Sequence, residues 1–380
     1  MKIVRRSIAL ALMLLLTLLP AAAFLSCGSD DTVTLNVYNW GEYMSVGDEG
    51  TLNSNKAFED WYYEETGKRV KGNYTTYESN EALRARLESG AVSYDVIIPS
   101  DYMIEYFIEK DMLEELNFDN IPNYASNIDD AFKGLFFDPD EKYSVPYTYG
   151  MVGVIYDANR VAEEDTGSWD LLWNEKYKGN ILQFNNSRDG FGTAMYRLGI
   201  SVNTTVEADW QTAKDALREQ KPLVKSWVMD EVFNMMETGE AAVATYYAGD
   251  YFTMVDEQAN SVDLQFYYPT DADGKINTNL YVDSMCIPKG SKNKDLAEAY
   301  INFMLTEEPA VANAEQTYYA SPNKVVYENE GYIEDMEDAY EVLYPADFDF
   351  RANYEAYAYR NLDSATLKLM NDLWDSLFIE

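Results

Sequence analysis

Histidine is absent from the 380-residue chain, and only two cysteines are present. Without histidine the chain cannot build Ser-His-Asp or Cys-His catalytic sites or histidine-ligated zinc sites, and it lacks the usual general base near neutral pH. Chemistry by a pair of carboxyl groups stays possible. Cys286 lies in an apolar run and is predicted to be a buried thiol. If Cys27 is modified, as its surroundings suggest below, no intramolecular disulfide can form.

Positive charge is scarce as well. The chain has 29 Lys and Arg residues against 66 Asp and Glu residues, which gives a formal net charge of −37. Such a surface repels phosphate backbones, which argues against nucleic acid as a partner, and it either attracts cations or serves solubility alone. Long apolar runs are missing after the N-terminal segment, so no later segment is predicted to span a membrane.

The N-terminal segment has the pattern of a secretory signal. Three basic residues precede an apolar run over residues 8–19, as in the n- and h-regions of a signal peptide. The following Leu25-Ser26-Cys27 resembles a bacterial lipobox, which implies cleavage before Cys27 and a diacylglycerol on its sulfur. An ordinary signal peptide with an incidental cysteine is the alternative interpretation.

Strand and helix patterns alternate along the rest of the chain. Residues 32–40 alternate as in a strand, residues 56–66 predict a helix that ends at Gly67, and residues 68–74 predict a second strand. Strand–helix–strand units imply parallel pairing. The alternation continues to a final helix over residues 361–378. The pattern predicts an α/β protein, and the length suffices for two domains with a sizeable core.

A short predicted strand near residue 281 carries the most informative side chains. Alternation along this strand places Tyr281, Asp283 and Met285 on one face. An aromatic ring beside a carboxylate suits an organic cation better than a neutral ligand, because it offers a π face and a fixed negative charge. A half-buried strand whose aspartate caps the next turn is the other interpretation of this stretch alone.

Similar clusters of aromatic and acidic residues recur where predicted strands end or in the loops that follow. Open α/β sheets bind ligands at the carboxyl ends of their strands, so the clusters predict one site built from several loops. Taken singly, Trp40 could be a core residue, and Asp189 and Asp250 could be turn or helix caps. The clusters are Trp40 with Glu42 and Tyr43, Ser100 with Tyr102, Asp189, Tyr247 with Asp250, and Tyr319.

Seven short motifs occur in an order that indicates a family. They are Asn39-Trp40-x-Glu42-Tyr43, Thr76-Tyr77-Glu78-Ser79-Asn80-Glu81, Tyr94-Asp95-x-x-x-Pro99-Ser100-x-Tyr102, Val145-Pro146-Tyr147, Tyr247-Ala248-Gly249-Asp250, Asp283-Ser284 and Pro322-Asn323. With these motifs the chain resembles the spermidine/putrescine-binding proteins of bacterial polyamine ABC importers. The resemblance extends from about Val33 to the C-terminus.

The resemblance implies an α/β, two-lobed type II periplasmic-binding-protein fold. Each lobe would be a mixed sheet flanked by helices, and hinge closure would trap the ligand in the cleft between the lobes. The chain would cross between lobes near Tyr147, near Asp283 and after Asn323. The predicted division is a signal peptide over residues 1–26, a tether over 27–32, one lobe over 33–146 and 284–323, and the other over 147–283 and 324–380.

The resemblance also implies which residues contact the ligand. Asp283 matches the carboxylate that binds a terminal ammonium, and Asp189 matches a glutamate at the opposite end of the site. Tyr247 and Tyr281 match two positions that form an aromatic box. The other matched contact positions are Trp40, Tyr43, Ser100, Tyr102 and Tyr319.

Three positions depart from the pattern of spermidine-binding relatives. Asn186 stands where one such relative has a second aspartate, so one ammonium contact would be neutral. Asp250 resembles an amine-binding aspartate of putrescine-specific relatives. Arg360 falls near a glutamine that contacts ligand, where a cation is unexpected. Together these departures lean toward a diamine ligand.

The resemblance implies a monomeric receptor in the bacterial cell envelope, outside the cytoplasm, with a lipid anchor on Cys27. The receptor would capture putrescine or spermidine and deliver it to a membrane permease with its ATPase, without catalysis, cofactor or metal. A ferric-ion receptor of the same fold stays an alternative, because Tyr246-Tyr247 and Tyr318-Tyr319 offer phenol pairs. A secreted glycosidase with two carboxyl groups is the alternative from the enzyme class.

Overall fold

A computed structural model describes residues 32–345 and 348–379 of the chain. The predicted signal peptide and the lipobox cysteine, Cys27, lie outside the described residues. Strands run through both halves of the described chain. They are β1 (Val33–Trp40), β2 (Val70–Tyr77), β3 (Val96–Ile97), β4 (Ser144–Asp157), β5 (Ile181–Phe184), β6 (Val224–Val228), β7 (Val243–Tyr247), β8 (Leu264–Tyr267) and β9 (Leu280–Cys286).

Helices make up most of the remaining regular structure. In residues 32–345 and 348–379, no helix combines the length and the apolar character that crossing a membrane requires. The α-helices are α1 (Ser54–Thr66), α2 (Asn80–Glu88), α3 (Asp101–Glu109), α4 (Pro122–Asn127), α5 (Ser187–Leu198), α6 (Glu207–Gln220), α7 (Glu231–Glu237), α8 (Ala248–Glu257), α9 (Lys294–Met304), α10 (Glu307–Thr317), α11 (Lys324–Tyr327), α12 (Glu330–Leu343), α13 (Phe350–Tyr357) and α14 (Ser364–Ile379). Short 3-10 turns occupy Asp48–Gly50, Phe118–Asn120, Asp130–Phe132, Glu163–Asp165, Trp169–Trp173 and Glu175–Tyr177.

Local capping signals determine where the first helices begin and end. The Ser79 side chain accepts a hydrogen bond of 3.1 Å from Ala82 N and so begins α2, as expected of a serine at this position. Gly67 ends α1 with a left-handed φ of 69° and donates its N–H to Tyr63 O, a conformation that glycine adopts without strain. Helix α1 therefore ends where the sequence predicted.

Two segments that the sequence placed in loops after strands are helix N-termini. Helix α5 begins at Ser187 and α8 begins at Ala248, so Asp189 and Asp250 each lie in the first turn of a helix. Negative charge is favoured there by the helix dipole. The N-cap of α5 is Asn186, whose side chain accepts a 2.8 Å hydrogen bond from Asp189 N.

The first half of the sheet combines parallel and antiparallel pairs. Strand β1 pairs in parallel with β2 along its whole length and with β3, as the strand–helix–strand pattern predicted. Strand β9 pairs antiparallel with both β3 and β4. This arrangement brings the carboxyl ends of β1, β2 and β3 to one edge, beside the middle of β9.

Strand β4 is long enough to belong to both halves of the sheet. Its residues 144–151 pair with β9, whereas its residues 152–157 pair antiparallel with β7 and β8. Strand β5 then pairs in parallel with β6 and β7. Each half is therefore a mixed sheet, and β4 connects them.

The buried apolar side chains form separate clusters in the two halves. Tyr319 packs in the apolar cluster of the first half of the sheet, although its neighbours along the chain belong to a separate cluster over residues 310–343. The bounds of the two lobes stay a prediction, since clusters and predicted bounds divide the chain differently. The first cluster draws on residues 35–151, 280–305 and 350–358, the second on residues 152–264 and 359–377, and the third on residues 310–343.

Candidate ligand-binding cleft

A cleft lies between the two halves of the sheet, and its empty space, together with the open solvent at its mouth, amounts to about 860 Å³. All ten residues that the sequence predicted as ligand contacts line this one cleft, although they come from distant parts of the chain. Their role as ligand contacts stays a prediction, whereas their convergence is a fact of the fold. They are Trp40, Tyr43, Ser100, Tyr102, Asp189, Tyr247, Asp250, Tyr281, Asp283 and Tyr319.

The lining of the cleft is strongly acidic. Eight of its residues carry a carboxyl group, and none of the described lining residues is lysine or arginine. Carboxyl groups brought together away from water disfavour ionisation, unless a cation accompanies them. The acidic lining residues are Glu42, Glu78, Glu81, Asp101, Asp189, Asp230, Asp250 and Asp283.

Asp283 lies on β9 and is only 4% exposed. Its Oδ2 accepts a hydrogen bond of 2.7 Å from the Tyr43 hydroxyl, while its Oδ1 is buried and has no partner in hydrogen-bonding geometry among the described residues. Burial raises the pKa of Asp283 to about 6, although the hydroxyls of Ser100 and Tyr43 lower it in part. One carboxylate oxygen is thus held in place and the other is left for a donor.

Asp250 is the second buried aspartate of the cleft. Its Oδ2 accepts a hydrogen bond of 2.9 Å from Tyr319. Burial raises its pKa to about 8; the Tyr319 hydrogen bond lowers it, and the charges of Asp230 and Glu42 raise it. Tyr319 packs directly on Gly249, where a Cβ would lie 2.5 Å from the ring. The glycine of the Tyr-Ala-Gly-Asp motif therefore makes room for the tyrosine that bonds to the aspartate.

Asp189 holds another part of the cleft together. Its Oδ2 accepts hydrogen bonds of 2.8 Å from Asn186 Nδ2 and from the Tyr247 hydroxyl. Burial raises the pKa of Asp189, and hydrogen bonds from Asn186, Tyr247 and Tyr359 lower it. Nearby, the Tyr102 hydroxyl donates to Glu81 Oε1 over 3.0 Å. The Asn186 side chain therefore donates a hydrogen bond to the Asp189 carboxylate and also caps α5.

Aromatic rings form the walls between these carboxyl groups. The Trp40 indole donates to Ile98 O over 2.9 Å, and its ring lies 4.6 Å from that of Tyr77. Tyr247 and Tyr281 meet edge to face at 5.6 Å. Rings fixed in this way offer apolar surface and π faces to a ligand at little entropic cost.

Several cleft residues were not among the predicted contacts. Asp230 and Glu81 are acidic residues from two different helix N-terminal regions, and burial raises the pKa of each. Asp101 is buried next to Ser100, with a pKa raised by burial to about 8, and it accepts a 2.7 Å hydrogen bond from Tyr354. The sequence offered a signal for Glu81, which is part of a quoted motif, and for Asp101 only through its place between Ser100 and Tyr102 after a predicted strand, but none for Asp230.

Arg360 is not among the lining residues of the cleft. Its guanidinium lies over the Phe136 ring at 3.8 Å and pairs with Glu105 at 3.1 Å. The positive charge of Arg360 is therefore paired with Glu105 outside the cleft, so it does not oppose the binding of a cationic ligand.

Of the four phenols of the ferric-ion alternative, Tyr246, Tyr247 and Tyr319 line the cleft, whereas Tyr318 does not. The Tyr318 hydroxyl bonds to Asp256 on an exposed surface, whereas the Tyr246 hydroxyl bonds to Asp230 in the cleft. Within the described ranges, no group of three or more histidine, cysteine, aspartate or glutamate side chains could hold a metal ion.

Comparison with known proteins identifies relatives along most of the chain. The family described as bacterial extracellular solute-binding protein matches residues 56–339. The spermidine/putrescine-binding periplasmic protein of Escherichia coli K12 is 32% identical over 298 residues, which are 78% of this chain and 79% of the relative.

Solved structures give the same answer for the fold. A spermidine/putrescine ABC transporter substrate-binding protein of Streptococcus pneumoniae is 32% identical, with a TM-score of 0.71 over 92% of this chain and 99% of the other. A lipoprotein of Treponema pallidum is 25% identical, with a TM-score of 0.73 over 90% and 99%. The predicted two-lobed α/β fold is confirmed, and the relatives are solute-binding proteins rather than enzymes. The chain belongs to the bacterial extracellular solute-binding protein family.

Proposed function

We propose that this protein captures a polyamine, putrescine or spermidine, outside the cytoplasm and delivers it to an ABC importer. The observation that carries the proposal is the lining of the cleft, which combines eight carboxyl groups with aromatic walls and includes no lysine or arginine among its described residues. The names of the relatives in Escherichia coli and Streptococcus pneumoniae support the same ligand class.

The chemistry of a polyamine matches this lining. Each ammonium group has donors that need acceptors, whereas the methylenes between the nitrogens prefer apolar surface. Hydrogen bonds to charged groups contribute roughly 1.5–3 kcal/mol each, and cation–π contacts contribute about 0.5–2 kcal/mol. A micromolar dissociation constant requires only about −8.2 kcal/mol, so a few such contacts suffice.

The ten predicted contact residues divide between the two chemical parts of the ligand. Asp283 and Asp250 would bind ammonium groups, and Asp189 would bind the nitrogen at the other end of a longer ligand. Tyr43, Ser100, Tyr102 and Tyr319 would orient these carboxylates or donate beside them. Trp40, Tyr247 and Tyr281 would cover the methylenes.

The two predicted lobes would close on the ligand about the long strand β4, and the closed form would dock as a monomer on a membrane permease with its ATPase. The lipid anchor on Cys27 is part of the same proposal, and the lipoprotein from Treponema pallidum supports it. Replacing Cys27 by Ser tests the anchor: the native protein should partition into the detergent phase of Triton X-114 and the variant into the aqueous phase. Equal partitioning of both would contradict the anchor.

Thermal unfolding with a ligand panel tests the proposed ligand class. Putrescine and spermidine should raise the melting temperature, because a ligand at a hundred times its dissociation constant stabilises the folded state by about 2.7 kcal/mol. Ferric citrate tests the ferric-ion receptor alternative, and a neutral oligosaccharide tests the glycosidase alternative. A shift with either of these, and none with the polyamines, would overturn the proposal.

A further inference from the structure

Strand β9 presents one side of its chain to the cleft. Asn279, Tyr281 and Asp283 all line the cleft, whereas Leu280 and Val282, which alternate with them, do not. This is the pattern of a strand whose successive side chains point to opposite faces. Asn279, directly before the strand, extends the Tyr281–Asp283 pair by one more position, and no motif of the sequence had pointed to it.

Each of these three residues carries a buried polar atom that has no hydrogen-bond partner among the described residues. The atoms are Asn279 Oδ1, the Tyr281 hydroxyl oxygen and Asp283 Oδ1. Most buried polar atoms in folded proteins are paired, because an unpaired one costs free energy. Buried unpaired atoms also occur away from the cleft, at Thr245 and Ser284, so it is the position of these three atoms along one side of the cleft that indicates groups that a ligand satisfies.

The backbone holds Asn279 firmly at its place in this row. The Val152 N–H donates to Asn279 O over 3.1 Å, and the Thr278 hydroxyl donates to Val152 O over 2.7 Å. Asn279 is only 3% exposed, and its side-chain Oδ1 has no hydrogen-bond partner among the described residues. Its position is fixed while its amide oxygen remains available as an acceptor.

The spacing of the row suits a linear chain with nitrogens at intervals. Residues two apart on a strand are separated by about 6.7 Å, so Asn279 and Asp283 are about 13 Å apart along β9. A four-carbon diamine that starts at Asp283 covers about one of these two intervals. A triamine with three- and four-carbon segments covers most of both, and the Tyr281 ring between the acceptors would lie along its methylenes.

We infer that Asn279 is a further ligand-contacting residue, and that it makes the cleft favour a triamine over a diamine, in contrast to the diamine toward which the departures in the sequence lean. The inference rests on the proposed polyamine-binding function. Asp283 binds one terminal ammonium, and the amide oxygen of Asn279 accepts a hydrogen bond from a nitrogen further along the same chain.

Calorimetric titration of spermidine and putrescine into three variants tests this role. Asn279→Leu keeps a side chain of similar size but removes the acceptor, whereas Asn279→Asp keeps an acceptor. The matched control is Thr245→Val, because Thr245 Oγ1 is also buried without a partner but does not line the cleft. Each variant is first compared with the wild type by its melting temperature.

Asn279→Leu should lower the affinity for spermidine about tenfold, the usual loss for one hydrogen bond to a charged group, and should leave putrescine within about threefold. Asn279→Asp should retain or exceed the wild-type preference for spermidine, and Thr245→Val should leave both affinities unchanged. An unchanged ratio of the two affinities in Asn279→Leu, or an equal loss for both ligands, would overturn the inference while leaving the polyamine function intact. If the wild type bound neither ligand, the proposed function itself would fail.

Discussion

The Tyr319 hydroxyl donates a hydrogen bond of 2.9 Å to Asp250 Oδ2, although the two residues come from different parts of the fold. Tyr319 follows α10 and packs in the first apolar cluster, whereas Asp250 lies in the first turn of α8. Because burial raises the pKa of Asp250 to about 8, this carboxyl group holds a proton near neutral pH until a cation arrives. The hydrogen bond therefore connects a carboxyl group that holds a proton with a residue from a distant part of the chain.

Ligand binding should release protons. An ammonium group favours the ionised forms of Asp250 and Asp283, whose pKa values in the free protein are about 8 and about 6. Affinity for putrescine and spermidine should therefore rise as the pH rises from 6 to 8, with release of about one proton at pH 7. Calorimetry in buffers of different ionisation enthalpy measures that number, which should fall in Asp250→Asn. Affinity that is independent of pH in this range would contradict the prediction.

The same carboxyl group should make the ligand-free protein sensitive to base. The pKa of Asp250 is about 8 in the folded protein and 3.8 as the ordinary value. Its contribution to stability is therefore complete below pH 3.8 and is lost as the pH rises to about 8. Asp250→Asn should gain free energy of unfolding relative to the wild type over this range, as measured by urea denaturation. A constant difference between the two proteins at all pH values would show that folding does not raise the pKa of Asp250.

Asp283→Asn should weaken polyamine binding by about 2–5 kcal/mol, because it leaves a buried ammonium without its counter-charge. The melting temperature of the ligand-free variant should not fall, since Asp283 has one oxygen without a partner. Asp375→Asn, on the exposed face of α14, makes the same change in net charge and serves as the control. If Asp283→Asn binds within threefold of the wild type, Asp283 is not an anchor for the ligand.

Gly249→Ala should disturb the contact between Tyr319 and Asp250. A Cβ at this position would lie 2.5 Å from the Tyr319 ring and 2.9 Å from Tyr318 O, and overpacking of this kind costs about 1–3 kcal/mol. Both the melting temperature and the polyamine affinity should fall. Gly72→Ala on β2 is the control, because its Cβ would make only ordinary contacts at 3.6 Å. If the two variants had the same melting temperature and the same polyamine affinity, the Tyr319 ring would be able to move aside without cost.

Local patterns predicted an α/β protein and the convergence of the site, whereas the two-lobed fold was implied by the family resemblance. Alternation along β1 and β9, and Gly67 after α1, were visible without tertiary contacts. Asp189 and Asp250 were found as acidic residues near strand ends, and their place at the start of helices was considered only as the alternative interpretation, in which they are turn or helix caps. Short polar stretches that contain glycine, such as residues 186–190, have the composition of loops, and only tertiary packing determines that they form the start of a helix.

The residues that the sequence missed are those whose role depends on tertiary position. Asp230 precedes a short helix in a region without a motif, and only the packing of α7 beside the cleft brings it to the lining. Asn279 was within reach, since the alternation that paired Tyr281 with Asp283 extends to it. The partner of Arg360 could not be predicted, because Glu105 is 255 residues distant along the chain.

Calorimetric titration of the purified protein with putrescine and with spermidine at pH 8 tests the central claim most directly. At this pH about half or more of the Asp250 carboxyl groups and nearly all of the Asp283 groups are ionised, given pKa values of about 8 and about 6. One-to-one binding of at least one polyamine is expected, with a dissociation constant of about a micromolar or less. No measurable binding of either polyamine by a folded protein would contradict it.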